Sequence, residues 1–280
     1  MITKNVRKFI IEIFLYIIIG IGAFIFTVPF LWMLSTSLKP ESEVFIFPPK
    51  WIPNPPHWGN YPKAWGGMLP FNLYLKNTLM IVTNNLIGNL VSCSLVAFGF
   101  ARLRHPLKDV LFMLLLSTMM IPYSVTMIPL FILYSKMGWV NTFKPLMVPA
   151  WFGWPFFIFL LRQFFMGIPI ELDEAAKIDG CSNWRIYWSI ILPLSKPALA
   201  AVSIFSFLGN WNDFLGPLIY LNSQDKYTIA IGLNLFRGQY FTFMSYMMAV
   251  SVITVIPVIL IFFFAQQYFI KGVVMSGLKG

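Results

Sequence analysis

Charge is scarce in this chain. Only 11% of its 280 residues are Asp, Glu, Lys or Arg, and ten of them are acidic. Soluble domains are about 25% charged, so this surface is too poor in charge for water alone. Histidine is rarer still. His57 and His105 are the two, and neither has metal-ligand spacing. His105 opens HPLKD, which lacks the H-E-x-x-H pattern of a zinc helix. No metal site is expected. The dipeptide Gly-Lys never occurs, so the G-x-x-x-x-G-K-[ST] phosphate loop is absent and ATP is not held that way. A nucleophilic serine would need a base that the apolar segments do not supply, so no catalytic residue is expected and a membrane-embedded enzyme is remote. The Asp, Glu and His chains of a proton relay are missing too. Cys93 and Cys181 fall in an apolar segment and a loop on the cytoplasmic side, an arrangement that argues against a disulfide.

What the chain does have is grease. It is 58% hydrophobic, with a mean hydropathy of +0.75. One globular core of this size cannot hide that excess, so the bilayer is the expected solvent. The net charge of +10 would suggest nucleic acid in a soluble protein. Here it fits basic loops facing an anionic cytoplasmic membrane surface, and no nucleic-acid partner is expected.

About twenty apolar residues cross the hydrocarbon core as a helix. Six stretches qualify: 11–34, 77–100, 110–134, 145–161, 198–221 and 243–269. The expectation is an all-α, polytopic membrane protein with six transmembrane helices, one transmembrane domain over 1–280 and both termini cytoplasmic. The basic N-terminus MITKNVRKF precedes an apolar run too long for a signal peptide, so the first span reads as uncleaved. Lys and Arg are modestly biased toward the inner segments, most clearly in RLRHPLKD (Arg102, Arg104, Lys108). Arg162 and the tail residues Lys271 and Lys279 count on the same side.

Three polar regions interrupt the apolar pattern. The first outer loop, about residues 35–76, carries eight of the 20 prolines together with Trp51, Trp58, Tyr61 and Trp65. Proline fixes φ, so a semi-rigid loop is expected. Its aromatics suit either an interfacial belt or a partner surface. In the fifth span, Asn210, Trp211, Asn212 and Asp213 stand near mid-membrane between Gly209 and Gly216-Pro217. Amides and a carboxyl can bond the hydroxyls of a polar solute and an indole can stack on a ring face, so these four are candidates for the substrate path. Polar glue between helices is the alternative. In the second span Asn77, Thr83, Asn84, Asn85 and Asn89 favour packing against another span over substrate contact; Asn85 and Asn89 share a face.

The remaining feature is ELDEAAKIDG at 171–180, which holds four of the ten acidic residues. It lies in the longest cytoplasmic loop, 162–197. After Pro169 the run to Ile178 favours a helix, with Glu171, Asp173 and Glu174 at its positive end. Gly180 suits a left-handed C-terminal cap. Ser182 can cap a second helix over 183–191, stopped by Pro193. By pattern alone, a merely solvated loop is an equal alternative.

The spacing says more. Glu174-Ala175-Ala176, three residues, Gly180, nine residues, Ile190, one residue and Leu192-Pro193 fill every fixed position of the EAA motif. That motif marks the integral-membrane subunits of binding-protein-dependent ABC importers. IPIELDEAAKIDGCSNWRIYWSIILPLSKPALA resembles the version in maltose-type carbohydrate importers, as do FGFARLRHP, NWNDFLGPLIYL and QQYFIKGVVMSGLKG. Cys181 departs from the family's usual small residue such as Ala.

The resemblance, over about 15–280, implies a type I ABC importer permease fold in a bacterial-type plasma (inner) membrane. It implies a heterodimer with a second permease, a cytoplasmic ABC ATPase dimer that binds Mg-ATP, and an extracytoplasmic solute-binding protein delivering a carbohydrate. This chain itself would hold no cofactor. Coupling to the ATPase would fall to Glu171, Asp173, Glu174, Ala175, Ala176, Asp179, Gly180, Ile190, Leu192 and Pro193. A stand-alone secondary transporter or channel for a small polar solute is the alternative.

Overall fold

The computed structural model describes residues 2–238 and 242–277; Lys279 lies outside them. Among these residues the chain is helical, with one isolated bridge between Arg237 and Thr242 in place of any strand. The principal helices are α1 (Ile2–Ser37), α2 (Phe71–Arg102), α3 (Lys108–Ser117), α4 (Tyr123–Lys136) and α5 (Pro155–Met166). They are followed by α6 (Glu171–Ile178), α7 (Asn183–Ile186), α8 (Lys196–Trp211), α9 (Leu215–Tyr220), α10 (Ile229–Leu235) and α11 (Met244–Gly277). Four segments are long and apolar enough to cross a bilayer, and up to six if each of two bent pairs is one span.

Three of the stretches read from the sequence as single spans are interrupted. Residues 110–134 form α3 and α4, bent by 96° at Ile121–Pro122. Proline at 122 cannot continue the donor ladder and pushes the residue before it out of the helical region; Ile121 is extended, with ψ 114°. Residues 145–161 are a helical turn (Lys144–Met147), a 3-10 turn (Val148–Phe152) and then α5, with Gly153 at φ +86° in the break. Residues 198–221 are α8 and α9, separated at Asn212–Phe214.

The chain forms two compact units. One comprises residues 1–70 and 233–256. Its α1 is apolar all round, and none of the span window within Lys8–Ser37 is buried. The proline-rich loop after it is tied down by polar contacts. Asn60 donates from its amide to the carbonyls of Ser37 (2.9 Å) and Lys39 (2.8 Å), and the Ser35 hydroxyl donates to the Trp51 carbonyl. Lys39 is wholly buried with its ammonium 4.0 Å from the Trp32 ring centroid. Burial pushes its pKa below the ordinary lysine value, and the Glu43 charge acts the other way. The Glu41 carboxylate accepts from the backbone N–H groups of Met244 (2.8 Å) and Ser245 (3.0 Å), the free donors at the start of α11.

The other unit comprises residues 71–232 and 257–280. Its organiser is α2, which packs on α5 and α8. Cys93, Ala97, Phe98, Leu161, Phe165, Ile191 and Val202 form its buried core. Close approach is made by small residues. A Cβ on Gly88 would lie 3.2 Å from the Ala150 carbonyl carbon and the Trp151 indole nitrogen. One turn on, the Ser92 hydroxyl reaches the Ala150 carbonyl at 3.0 Å. Small residues four apart let a neighbouring backbone come close, as membrane helix interfaces require.

Candidate functional site

The charged loop folds into two short helices. No side chain caps the start of α6, but Glu171, Asp173 and Glu174 all stand in its first turn, where the helix dipole favours anions. Its end is a Schellman motif. The Cys181 N–H bonds the Ala176 carbonyl (2.9 Å) and the Gly180 N–H bonds the Lys177 carbonyl (3.0 Å). That geometry sets Gly180 at φ +78°, which L side chains rarely adopt. Ser182 then caps α7 by accepting from the Arg185 N–H (3.3 Å). The helix passes into a π turn at Tyr187–Ile191 and a last turn at Leu192–Leu194, and bends by 77° into α8.

α6 has two faces. Asp173 and Ala176, three residues apart, turn into the protein and are buried. Glu171, Glu174, Ala175, Lys177, Ile178, Asp179 and Gly180 are exposed. Ile178 is 87% exposed, an unusual position for an isoleucine on a polar loop. Ile190 and Leu192 are partly buried against the core, and Pro193 is exposed. Of the ten coupling residues expected from the motif, the structure thus splits buried Asp173 and Ala176 and half-buried Ile190 and Leu192 from an exposed set of Glu171, Glu174, Ala175, Asp179, Gly180 and Pro193.

The buried side is fastened to α2. The Arg102 Nε lies 3.6 Å from the Asp173 carboxylate, with both side chains about 5% exposed or less. Arg102 Nη2 also donates to the carbonyls of Phe165 (2.8 Å) and Ile168 (2.7 Å). The Tyr187 hydroxyl meets the Ser94 hydroxyl at 2.7 Å. Arg162 stacks over the Phe112 ring, 4.0 Å from its centroid. From the sequence, Arg102 and Arg162 stand out only as cytoplasmic charge. Arg102 ends a long apolar helix, but nothing local in the sequence ties it to the acidic loop far along the chain. Ile178 likewise has no local feature in the sequence that marks it as exposed.

The second region is the break between α8 and α9. Asn210 accepts from the Asn85 amide and donates to the Ser206 carbonyl (2.7 Å). Asn89 donates to the Ser206 hydroxyl at 3.1 Å. Trp211 is buried, stacked on Phe207 at 5.3 Å between centroids. Asn212 is exposed and folds back on the Leu208 carbonyl (2.9 Å). Asp213 accepts from the Gly216 N–H (3.1 Å), and a Cβ at Gly216 would strike that carboxylate. The four residues therefore divide: Asn210 and Trp211 face inward, while Asn212 and Asp213 form the more open turn.

The amides of α2 mostly join elements. Asn77 bonds the carbonyls of Asp225 (2.9 Å) and Tyr227 (3.0 Å), and Asn85 bonds that of Leu146 (2.8 Å). Asn84 is the exception, because it also lines a cavity of 390 Å³ with Thr142, Phe143, Lys144, Met147, Val148 and Trp151. Among the described residues, no cluster of His, Cys, Asp or Glu could hold a metal ion.

Comparison with known proteins matches these features to one group. Residues 88–275, which include the whole coupling loop and the α8–α9 break, match the model of the binding-protein-dependent transport system inner membrane component. The chain is 36% identical to a putative ABC transporter permease of Caldicellulosiruptor sp., covering 95% of this chain and 96% of that protein. It is 34% identical to the arabinooligosaccharides transport system permease of Halalkalibacterium halodurans, over 92% of this chain and 93% of the relative. It is 30% identical to the sn-glycerol-3-phosphate transport system permease of Yersinia pestis, over 95% and 97%. The fold is similar to a chain of a bacterial ABC transporter that imports the polysaccharide alginate, with a TM-score of 0.82, 22% identity, and coverage of 93% of this chain and 96% of that one. The chain belongs to the family of binding-protein-dependent transport system inner membrane components, the permease subunits of ABC importers.

Proposed function

We propose that this multi-pass chain is one half of a pore in a plasma (inner) membrane that passes a carbohydrate or a similarly hydroxylated solute. A second permease completes the pore, a solute-binding protein delivers the solute from outside, and a separate ATPase docks on the exposed face of residues 171–193. Both termini then lie in the cytoplasm. The single observation that carries the coupling role is the two-faced α6. Its inner face is anchored by Asp173 and Ala176, while Glu174, Ala175 and Ile178 stand free on the outer face. A solvated loop would need neither the buried anchor nor an isoleucine left bare. Family membership favours this reading over a stand-alone carrier. The carbohydrate reading is supported by relatives named for arabinooligosaccharides and by the alginate importer.

The mechanism is alternating access. The ATPase binds one arrangement of the two coupling helices better than the other, and that difference in affinity shifts the pore between inward and outward states. ATP hydrolysis, in the partner, resets it. The Gly180 elbow keeps α6 and α7 at a fixed angle, so that the pair moves as one piece. Asn212 and Asp213 offer the solute an amide and a carboxyl at the helix break, and Asn210 and Trp211 hold that break in shape.

The test is uptake by the complete complex in proteoliposomes, with binding protein and a panel of radiolabelled mono-, di- and oligosaccharides and glycerol phosphate. Uptake of one of these should require ATP and the ATPase. Asp213→Ala should lower it about tenfold while the complex assembles, and Gly180→Pro should leave hydrolysis without uptake. Uptake by this chain with no ATPase present would overturn the proposal.

A further inference from the structure

We infer that Arg102 is the link through which α6 moves α2, with Asp173 as the acidic half of the contact. This rests on the coupling role proposed above. One guanidinium joins three segments: it ends α2, bonds two carbonyls at the end of α5, and faces the Asp173 carboxylate on α6. The electrostatics explain the placement. The carbonyl end of α5 favours a cation and the first turn of α6 favours an anion, so the pair spans the turn between two helix ends of opposite sign.

Stability alone is a poor reason to keep such a pair. Two desolvated charges are often replaced by apolar residues at no loss, and here neither Arg102 Nε nor Asp173 Oδ1 has a hydrogen-bond partner. What the pair does provide is a short electrostatic tie between α6 and α2, 3.6 Å long and shielded from solvent. Ala176, the other buried residue of α6, has only a methyl group to offer. A second tie, Tyr187 to Ser94, meets α2 eight residues earlier, about 12 Å along the axis. Two anchor points fix both the position and the tilt of α2 relative to the coupling segment. α2 is continuous from Arg102 to Phe71, and Asn85 and Asn89 on it bond Asn210 and Ser206 of α8. A displacement of α6 is thereby delivered to the helix break at Asn212 and Asp213.

The experiment uses the assembled complex in nanodiscs, with Cys93→Ala, Cys181→Ser and a bimane on Lys76→Cys. Lys76 is exposed near the outer end of α2, about 39 Å from Arg102 along the axis. With the native pair, adding Mg-ATP and orthovanadate should shift the bimane fluorescence. Asp173→Asn, and the apolar pair Arg102→Met/Asp173→Leu that leaves no buried charge, should retain the ATPase and its hydrolysis yet lose at least about four-fifths of that shift. A shift of native size in either variant, or none with the native pair, overturns the inference. Failure of the ATPase to co-purify even with the native pair would instead sink the coupling reading beneath it.

Discussion

α1 and α2 are both helices long enough to cross a bilayer, and they are built on different principles. The span window of α1 has 0% of its residues buried inside the chain, and that of α2 has 44%. α1 exposes Phe14, Phe24, Phe26 and a series of isoleucines. α2 places Asn77, Asn85, Asn89, Ser94 and Arg102 where each meets a partner from another element. Between lipid and protein an apolar side chain gains little by choosing either, so specific helix association in a membrane rests on small residues and polar contacts. α1 is therefore a surface, and α2 is a frame.

That contrast can be broken, and the largest effect is expected at the base of α2. Arg102→Met leaves Asp173 buried without its cation. It should cost about 3–5 kcal/mol, read as loss of monodisperse protein on heating in detergent. Adding Asp173→Leu should recover most of it, because the second change removes the stranded charge; a double variant no better than the single would show that the two do not interact. Next comes Gly88→Val. With Ala150 and Trp151 already within 3.2 Å of a Cβ, the valine must displace backbone, at about 1–3 kcal/mol. The smallest effect belongs to α1. Gly20 and Gly22 have nothing within 4 Å of a Cβ. Alanine at either should be neutral or stabilise by up to about 1 kcal/mol in the same assay. Equal losses at Gly20 and Gly88 would erase the distinction.

What the amino-acid sequence revealed follows from how local each signal is. The EAA spacing, the Gly180 elbow and the Ser182 cap are short-range patterns, and each has its geometry in the structure. The helix breaks were harder. Pro122 stood in plain sight, but unbroken hydrophobicity on both sides made 110–134 look like one rod, because hydropathy reports the solvent and not the direction of the chain. By pattern Asn212 and Asp213 read as polar residues within a helix, and in the structure they are the turn that ends it. The inward turn of Asp173 was out of reach for another reason. Its partner Arg102 is far along the chain, and only the packing of α2, α5 and α6 brings the two together.

The central claim is that the outer face of α6 meets the ATPase, and Ile178, 87% exposed, is the most exposed large hydrophobic on it. The most direct measurement is disulfide or maleimide cross-linking from Ile178→Cys, with Cys181→Ser, in the complex purified from native membranes. The account predicts one cross-linked product containing the nucleotide-binding subunit, with a yield that changes when Mg-ATP and vanadate are added. Labelling of that cysteine by an impermeant reagent from outside the cell, or cross-links only to lipid or to the permease itself, would contradict it.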